Sequence, residues 1–197
     1  MSAPIVAVFP CLSPKSAVRT LLPLVCVGLL SACQNIRPPL LANGSGLVPV
    51  QATQVLTIER NGESLSTTLV LALSDSQTTI VALSPIGHRL FSINYTGEGL
   101  DLQQATQDLQ LPAEHIVSMM QYVYWPESQL QAASTGKWHL ESDENTRNLL
   151  YKNRLITKFE LSDWQMWHAI RWPLNVQITN YLLDMTLNIR TIDLQPL

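Results

Sequence analysis

Cysteine is scarce in this 197-residue chain, and its distribution is uneven. The three cysteines are Cys11, Cys26 and Cys33, and none follows residue 33. A domain built from the rest of the chain therefore has no internal disulfide, even in an oxidising compartment, and must rely on its apolar core. Residues 33–197 are enough for one domain that buries about two thirds of its surface.

Charged residues are also few, at 14% of the chain, and the acidic ones are in excess. The chain has 12 basic and 15 acidic side chains, and two of the basic ones, Lys15 and Arg19, lie in its first 32 residues. Without those two residues the net charge changes from −3 to −5. The remaining chain has no basic patch suited to a phosphate backbone, which excludes nucleic acid as a partner.

Patterns of catalytic and metal-binding residues are missing as well. The histidines form no H-x-x-x-H or H-x-H pair, so we predict no metal site; they are His88, His115, His139 and His168. Gly44-Ser45-Gly46 lacks the strand and the helix that flank the serine of a nucleophile elbow. We predict no catalytic residue and no cofactor. A hydrolase or thioesterase with a dispersed Ser/His/Asp site is the open alternative.

The N-terminal part of the chain has an apolar run, Leu21 to Leu30, directly after the two basic residues. The sequence Leu-Ser-Ala-Cys33 lies at the end of this run. A basic segment, an apolar core and small residues before a cleavage site form the order of a secretory signal. A cysteine directly after Leu-Ser-Ala is typical of the bacterial lipobox. We predict a lipoprotein signal peptide over residues 1–32 and acylation of Cys33, palmitate included. An ordinary signal peptide or a membrane helix is the alternative, although the run is shorter than the about 20 residues of a span.

The residues after Cys33 indicate a location and a linker. Gln34 stands where enterobacterial lipoproteins retained at the inner membrane have Asp, which favours the periplasmic face of the outer membrane. Proline and glycine are frequent up to Pro49, and no period of 2 or 3.6 is visible. We predict a lipidated flexible tether over residues 33–50 and a single β-domain over residues 51–197.

Most of this domain has the alternation of β-strands. Asn61-Gly62 between two β-prone runs is a strong hairpin signal, because both central residues of a type I′ turn have positive φ. About ten short strands are predicted, at residues 55–60, 64–73, 78–83, 89–95, 100–103, 137–141, 147–151, 155–161, 175–183 and 185–194. So many strands in one domain indicate a mainly β, α+β fold with a sandwich or a barrel-like sheet.

One segment, residues 112–125, has helical periodicity instead. Pro112 suits a first helical turn, and Pro126 ends the helix. The apolar positions share one face at the spacing i, i+3, i+4 and i+7, and they are Ile116, Met119, Met120 and Val123, with Trp125 widening the stripe. This face either packs on the sheet, with the methionines filling the core, or forms a lid over an apolar cavity in which they adapt to a ligand.

Tryptophans are concentrated in the second half of the domain. Each indole is large and needs a partner for its N–H when it is buried. Three interpretations stay open: core packing, a wall that binds acyl chains, and contact with a membrane interface. The residues predicted to bind a ligand are Ile116, Met119, Met120, Val123, Trp125, Trp164 and Trp167.

These elements together resemble the LolA/LolB-like outer-membrane lipoproteins. The resemblance is carried by the lipobox, the antiparallel strands, Ser84-Pro85-Ile86-Gly87 between two strands, and the helix that ends in Trp125-Pro126. A closer resemblance is to a lipoprotein family found beside aryl-polyene biosynthesis clusters, in which the segments 84–91 and 122–126 have close counterparts. It covers residues 50–197.

The resemblance implies a half-open antiparallel β-barrel closed by helices, with an apolar interior that holds acyl chains. It places Ile86 where LolB has a protruding leucine involved in placing lipoproteins in the membrane, so Ile86 is expected to contact the membrane or a partner. The implied partners are the membrane, a lipid or acylated cargo (lipoprotein or aryl-polyene lipid), and a periplasmic LolA-like carrier or an inner-membrane exporter. The protein is expected to be a monomer.

The leading hypothesis is therefore an outer-membrane lipoprotein that binds or transfers lipid. Burying an acyl chain gains about 0.8 kcal/mol per methylene, so such a site needs no polar motif. A structural or assembly partner of an envelope export machine that binds no lipid is the second hypothesis.

Overall fold

The computed structural model describes residues 36–42, 47–104 and 112–197. The predicted signal peptide and Cys33 lie outside these residues. The elements follow in the order β1 (Val50–Arg60), β2 (Glu63–Leu73), β3 (Gln77–Leu83), β4 (Arg89–Thr96), β5 (Gly99–Gln104), α1 (Ala113–Tyr124), α2 (Glu127–Ala133), β6 (Trp138–Ser142), β7 (Thr146–Tyr151), β8 (Arg154–Trp167), β9 (Ile170–Asn180) and β10 (Met185–Pro196).

Among the described residues, ten strands form one antiparallel sheet in the order β5-β4-β3-β2-β1-β10-β9-β8-β7-β6. The first strand pairs with the last, while β5 and β6 are the two edges, so the sheet is open. Helix α1 contacts β4 and β5 near one edge and β8 and β9 near the other, which shows that the sheet curves around the helix. The prediction of a mainly β, half-open antiparallel sheet of about ten strands with a covering helix is confirmed.

Local sequence explains several boundaries. Asn61 and Gly62 have φ values of 53° and 78°, as a type I′ turn between β1 and β2 requires. Helix α1 ends because Pro126 forces Trp125 into an extended conformation, with ψ at 151°.

The core lies between α1 and the inner face of the sheet, defined as the face that carries the buried alternate residues of each strand. On β2 these are Leu69, Leu71 and Leu73. Helix α1 is buried on nearly all sides, since ten of its twelve residues are buried. It therefore fills the space that the curved sheet surrounds.

Two features of the second half differ from the sequence-based expectations. Helix α2 was not predicted, because its seven residues include a single large apolar side chain, Leu130, and show no period. Strands β8 and β9 form a hairpin that is longer than expected and includes Trp164, Trp167 and Trp172. The pairing continues past Asp163, which has a φ of 53°, without a change of register.

Residues 36–42 also differ from the expected tether. This segment, named the docked segment here, lies along α1. The backbone N–H of Leu41 donates to Gln121 Oε1 at 2.9 Å, and Gln121 Nε2 donates back to the Leu41 carbonyl at 2.8 Å. Tyr95 Oη donates to the same carbonyl at 2.7 Å. Because Leu41 is buried in the core, this part of the segment predicted as a flexible tether is packed on the domain.

Candidate functional site

An apolar pocket of about 330 Å³ lies at the C-terminal end of α1, and we call it the α1-end pocket. Its other sides come from the start of β1, from β7 and from the β8–β9 hairpin. The aliphatic part of its wall is Leu47, Val48, Val50, Leu73, Val123 and Ile170, and the aromatic part is Tyr124, Trp125, Trp164 and Trp172. The pocket thus has a large aliphatic and aromatic wall, built from parts of the chain that are distant in sequence.

Hydrogen bonds and stacking fix the aromatic wall. The ring of Tyr124 stacks on Trp172 with 4.2 Å between centroids and 16° between planes. Trp172 Nε1 donates to Thr191 Oγ1 at 3.1 Å, and Gln54 Nε2 donates to Tyr124 Oη at 2.6 Å. Burial raises the pKa of the Tyr124 phenol, so this group is neutral. The wall is therefore preformed and uncharged.

Arg147 holds the end of α1 at the edge of the pocket. Its Nη1 donates to the carbonyls of Tyr122 at 2.6 Å, Val123 at 3.0 Å and Trp125 at 3.4 Å. These are carbonyls that a helix leaves unpaired at its C-terminal end, where the helix dipole also favours a positive charge. Burial lowers the pKa of Arg147, and the charge of Glu127 opposes this change.

Charged side chains surround the pocket and form its rim: Glu127, Asp143, Glu144, Arg147 and Arg171. Arg171 Nη2 lies 3.0 Å from Glu144 Oε1, and the Arg171 guanidinium lies over the Trp164 ring at 4.5 Å.

The turn that carries part of the rim is ordered by its own hydrogen bonds. Trp164 Nε1 donates to Asn145 Oδ1 at 2.8 Å. Asp143 Oδ1 accepts from the backbone N–H groups of Asn145 and Thr146. An apolar interior with a charged rim suits a ligand that has an apolar chain and a polar head.

The structure brings some of the predicted site residues together and separates others. Val123, Trp125 and Trp164 line the α1-end pocket. Three others on α1, namely Ile116, Met119 and Met120, are buried in the core cluster and are not part of the pocket wall. Trp167 is half-buried near the tip of the β8–β9 hairpin, where its ring meets the edge of His168 at 4.8 Å.

Ile86 lies on the turn between β3 and β4, is not part of the wall of this pocket, and is 77% exposed. The backbone N–H of Gly87, with a φ of 81°, donates to the Ser84 carbonyl at 2.8 Å. This tight turn keeps the Ile86 side chain away from the core.

The sequence analysis did not indicate Arg147, Leu47 or Val48 as parts of a site, and it did not include Trp172 among the residues predicted to bind a ligand. Arg147 is a single basic residue at the start of a predicted strand, and the carbonyls that it binds lie 22 to 25 positions earlier. No local sequence pattern predicts a contact between residues that are so far apart in the chain. Trp172 is one of the tryptophans of the second half for which core packing, a binding wall and membrane contact all stay open, and the strand predicted near it begins only at residue 175.

A larger groove of about 970 Å³ runs across the opposite face of β1, β10, β9 and β8. Its wall mixes apolar residues with polar ones that include Glu160, Asp163, Asn175, Asn188 and Arg190. We place the candidate site in the smaller pocket because its wall is continuous with the apolar core.

The described residues contain no group of three or more His, Cys, Asp and Glu side chains that could hold a metal ion. In the same part of the chain, no helix is both long and apolar enough to cross a membrane.

By its architecture, the protein is an α+β protein with one open antiparallel sheet that curves around a helix and a pocket at the end of that helix. The chain belongs to the family described as "Protein of unknown function (DUF3261)", whose model matches residues 51–193. No curated protein matches the chain.

Two solved structures are similar in outline. A LolA superfamily protein from Nitrosomonas europaea is 11% identical, with a TM-score of 0.47, over 76% of this chain and 86% of that one. A DUF1329 family protein from Desulfovibrio piger is 9% identical, also with a TM-score of 0.47, over 77% of this chain and 87% of that one.

Proposed function

We propose that this protein is an outer-membrane-anchored lipoprotein that binds a lipid or an acylated amphiphile in the α1-end pocket and transfers it, without a catalytic step. The observation that carries the proposal is one concavity with an aromatic and aliphatic wall and a charged rim. Its volume of about 330 Å³ falls within the usual range for ligand pockets. Each buried methylene contributes about 0.8 kcal/mol, so the wall alone supplies useful affinity.

Binding is tested with the chain from Gln34 onward, which contains every described residue. Native mass spectrometry of the full-length wild-type protein, expressed with its signal peptide and purified from membranes, should find a bound lipid. An apolar fluorescent probe should bind in solution and be displaced by that lipid. Failure of the wild-type protein to bind either would contradict the proposal.

A pair of variants locates the site. Ile170→Asp puts a carboxylate in the pocket wall, where its desolvation is costly, and should weaken probe binding at least tenfold. Ile192→Asp makes the same change at an exposed position outside the pocket and should leave binding unchanged. Circular dichroism checks that both proteins are folded. Equal affinities in the two variants would exclude this pocket as the site.

The anchor is the second part of the proposal. The lipobox supports acylation of Cys33 after removal of residues 1–32, and Gln34 supports the periplasmic face of the outer membrane. Metabolic labelling with a radioactive fatty acid should mark the wild-type protein and leave Cys33→Ser unlabelled. Label that persists on Cys33→Ser would refute the anchor at this residue.

Contact with the membrane or with a partner protein is the third part. The exposure of Ile86 on a tight turn supports a role in handing cargo to the bilayer, or in meeting a periplasmic LolA-like carrier or an inner-membrane exporter. Ile86→Glu should leave the melting temperature within about 2 °C, because exposed changes usually cost less than about 0.5 kcal/mol. Delivery of the cargo in cells should be lost, whereas Ile192→Glu should deliver normally.

An assembly partner of an export machine is the alternative function, and the exposure of Ile86 and of Met166 on the β8–β9 hairpin favours it. A protein that binds no lipid, yet loses its role in export on Ile86→Glu, would support this alternative. The choice of cargo between a lipoprotein and an aryl-polyene lipid remains a prediction from the sequence.

A further inference from the structure

The space inside the curved sheet is occupied by the protein itself. Met119 is 3% exposed, Met120 is 1% exposed, and Tyr122 is fully buried, with its ring stacked on Phe159 at 5.9 Å. Side chains of α1 therefore take the place in which a cargo with several acyl chains would lie. Close packing of this kind leaves few voids.

Hydrogen bonds at the C-terminal end of α1 hold it in this position. Gln121 forms two hydrogen bonds with the backbone of Leu41, and Arg147 binds three carbonyls at the C-terminal end. Moving α1 away from the sheet would break these bonds and leave buried polar groups without partners, at a cost of about 1–3 kcal/mol for each. The helix is a fixed part of the core in this conformation.

The room that remains for a ligand is small. The α1-end pocket has a volume of about 330 Å³, near the lower limit of the roughly 300–1,000 Å³ of ligand pockets. A pocket of this size takes one acyl chain of moderate length rather than several.

The rim limits the charge of the head group. It has three carboxylates and two guanidiniums, and both guanidiniums are engaged within the protein. Arg147 binds the α1 carbonyls, while Arg171 pairs with Glu144 and covers Trp164. The charge left at the mouth is negative, so an anionic head group would be repelled there.

We propose that the ligand is a single-chain amphiphile with an uncharged or cationic head group, and not a triacylated lipoprotein or an anionic lipid. This inference rests on the proposed function and specifies its ligand. It follows from the filled sheet interior, the volume of the α1-end pocket and the charges of its rim.

Calorimetric titration of the chain from Gln34 onward tests the inference with four ligands below their micelle concentrations. They are dodecyltrimethylammonium, dodecyl maltoside, dodecyl sulfate and a synthetic tripalmitoyl lipopeptide. We expect one molecule of the first two per protein, and at least fivefold weaker binding of dodecyl sulfate and of the lipopeptide. Shortening the chain from dodecyl to undecyl should weaken binding about fourfold, from the transfer free energy of one methylene.

A matched pair of variants tests the rim. Glu127→Gln removes one carboxylate of the rim and should reduce the preference for dodecyltrimethylammonium over dodecyl sulfate about threefold at low salt. Glu98→Gln removes an exposed carboxylate on the β4–β5 turn, outside the pocket wall, and should leave the preference unchanged. High salt should reduce the preference in the wild-type protein.

The outcomes separate this inference from the proposal on which it rests. Tighter binding of the lipopeptide or of dodecyl sulfate than of the other ligands, or several molecules per protein, would overturn the inference and leave lipid binding intact. Absence of binding for all four ligands would overturn the proposed function and the inference with it.

Discussion

The middle of α1 and its C-terminal end are stabilised by different interactions. In the middle, Met119 and Met120 pack in the core cluster with apolar neighbours. In the last turn, polar side chains bind backbone groups: Gln121 binds Leu41 of the docked segment, and Arg147 binds the last carbonyls of the helix.

This difference shows how one helix can both complete a core and border a pocket. In the middle of the helix, apolar side chains need neighbours that fill the space around them but no specific hydrogen-bond partner. The C-terminal end carries unpaired carbonyls and needs specific donors, which Arg147 supplies. Space for a ligand is left at the C-terminal end, where the packing of α1 against the sheet stops.

The largest expected effect comes from a charge in the middle of α1. Met120→Asp would bury a carboxylate without a partner, which costs several kcal/mol, and we expect an unfolded protein by circular dichroism at 25 °C. Met166→Asp makes the same change on a side chain that is 64% exposed and should stay folded. A folded Met120→Asp protein that binds a probe weakly would instead show that α1 acts as a lid.

A smaller effect on stability is expected from removing the Arg147 guanidinium, a charge that is already hydrogen-bonded to the end of α1. Arg147→Met keeps the apolar stem of the side chain but removes the donor to three carbonyls, and should lower the free energy of unfolding by about 2–3 kcal/mol. Arg190→Met on the exposed face is the control and should change it by less than about 0.5 kcal/mol. Urea denaturation measures the free energy of unfolding of both variants. Equal changes in the two would contradict the role of Arg147 at the helix end.

The contact between α1 and the docked segment should respond more locally. Gln121→Leu removes both hydrogen bonds to Leu41 and leaves its buried N–H without that acceptor, at a cost of about 1–3 kcal/mol. Hydrogen exchange of the Leu41 amide should become faster than in the wild-type protein, while amides in the centre of β2 keep their protection. Gln177→Leu, at an exposed position of β9, should not alter this exchange. Unchanged protection of Leu41 would mean that other contacts hold the docked segment.

The smallest effect concerns pH at the start of α1. Burial lowers the pKa of His115, against the opposing influences of the Ile36 backbone and Glu114, while the charge of Arg37 lowers it further. Since the folded state then binds this proton less readily than the unfolded state, stability is full above about pH 6.5 and falls as the pH decreases below that value.

Replacing this histidine tests the sign of the effect. His115→Gln should lose less stability between pH 7 and pH 5 than the wild-type protein does, as measured by urea denaturation at each pH. His139→Gln, at an exposed position, should follow the wild-type protein. A steeper pH dependence in His115→Gln would contradict this assignment.

Much of the fold could be predicted because its signals are local. Strand alternation, the Asn61-Gly62 turn and the prolines on either side of α1 each depend on neighbouring residues, and the structure has strands or helix limits within a few residues of those positions. The same reasoning failed for α2, whose one apolar contact gives no period, and for the outer parts of β8 and β9. There the polar Ser162-Asp163 and Pro173 resemble the end of a strand, yet pairing continues.

The sequence by itself determined the strand pattern and the helix, because periodicity and short turn motifs depend on adjacent residues. The tertiary structure alone decided that α1 fills the sheet, that residues 36–42 lie on it, and that Arg147 closes its end. It also decided that Val123, Trp125 and Trp164 meet in one pocket, while Met119 and Met120 do not reach it. These facts depend on which distant surfaces fit together, and close packing of side-chain volumes, rather than any local pattern, makes that choice.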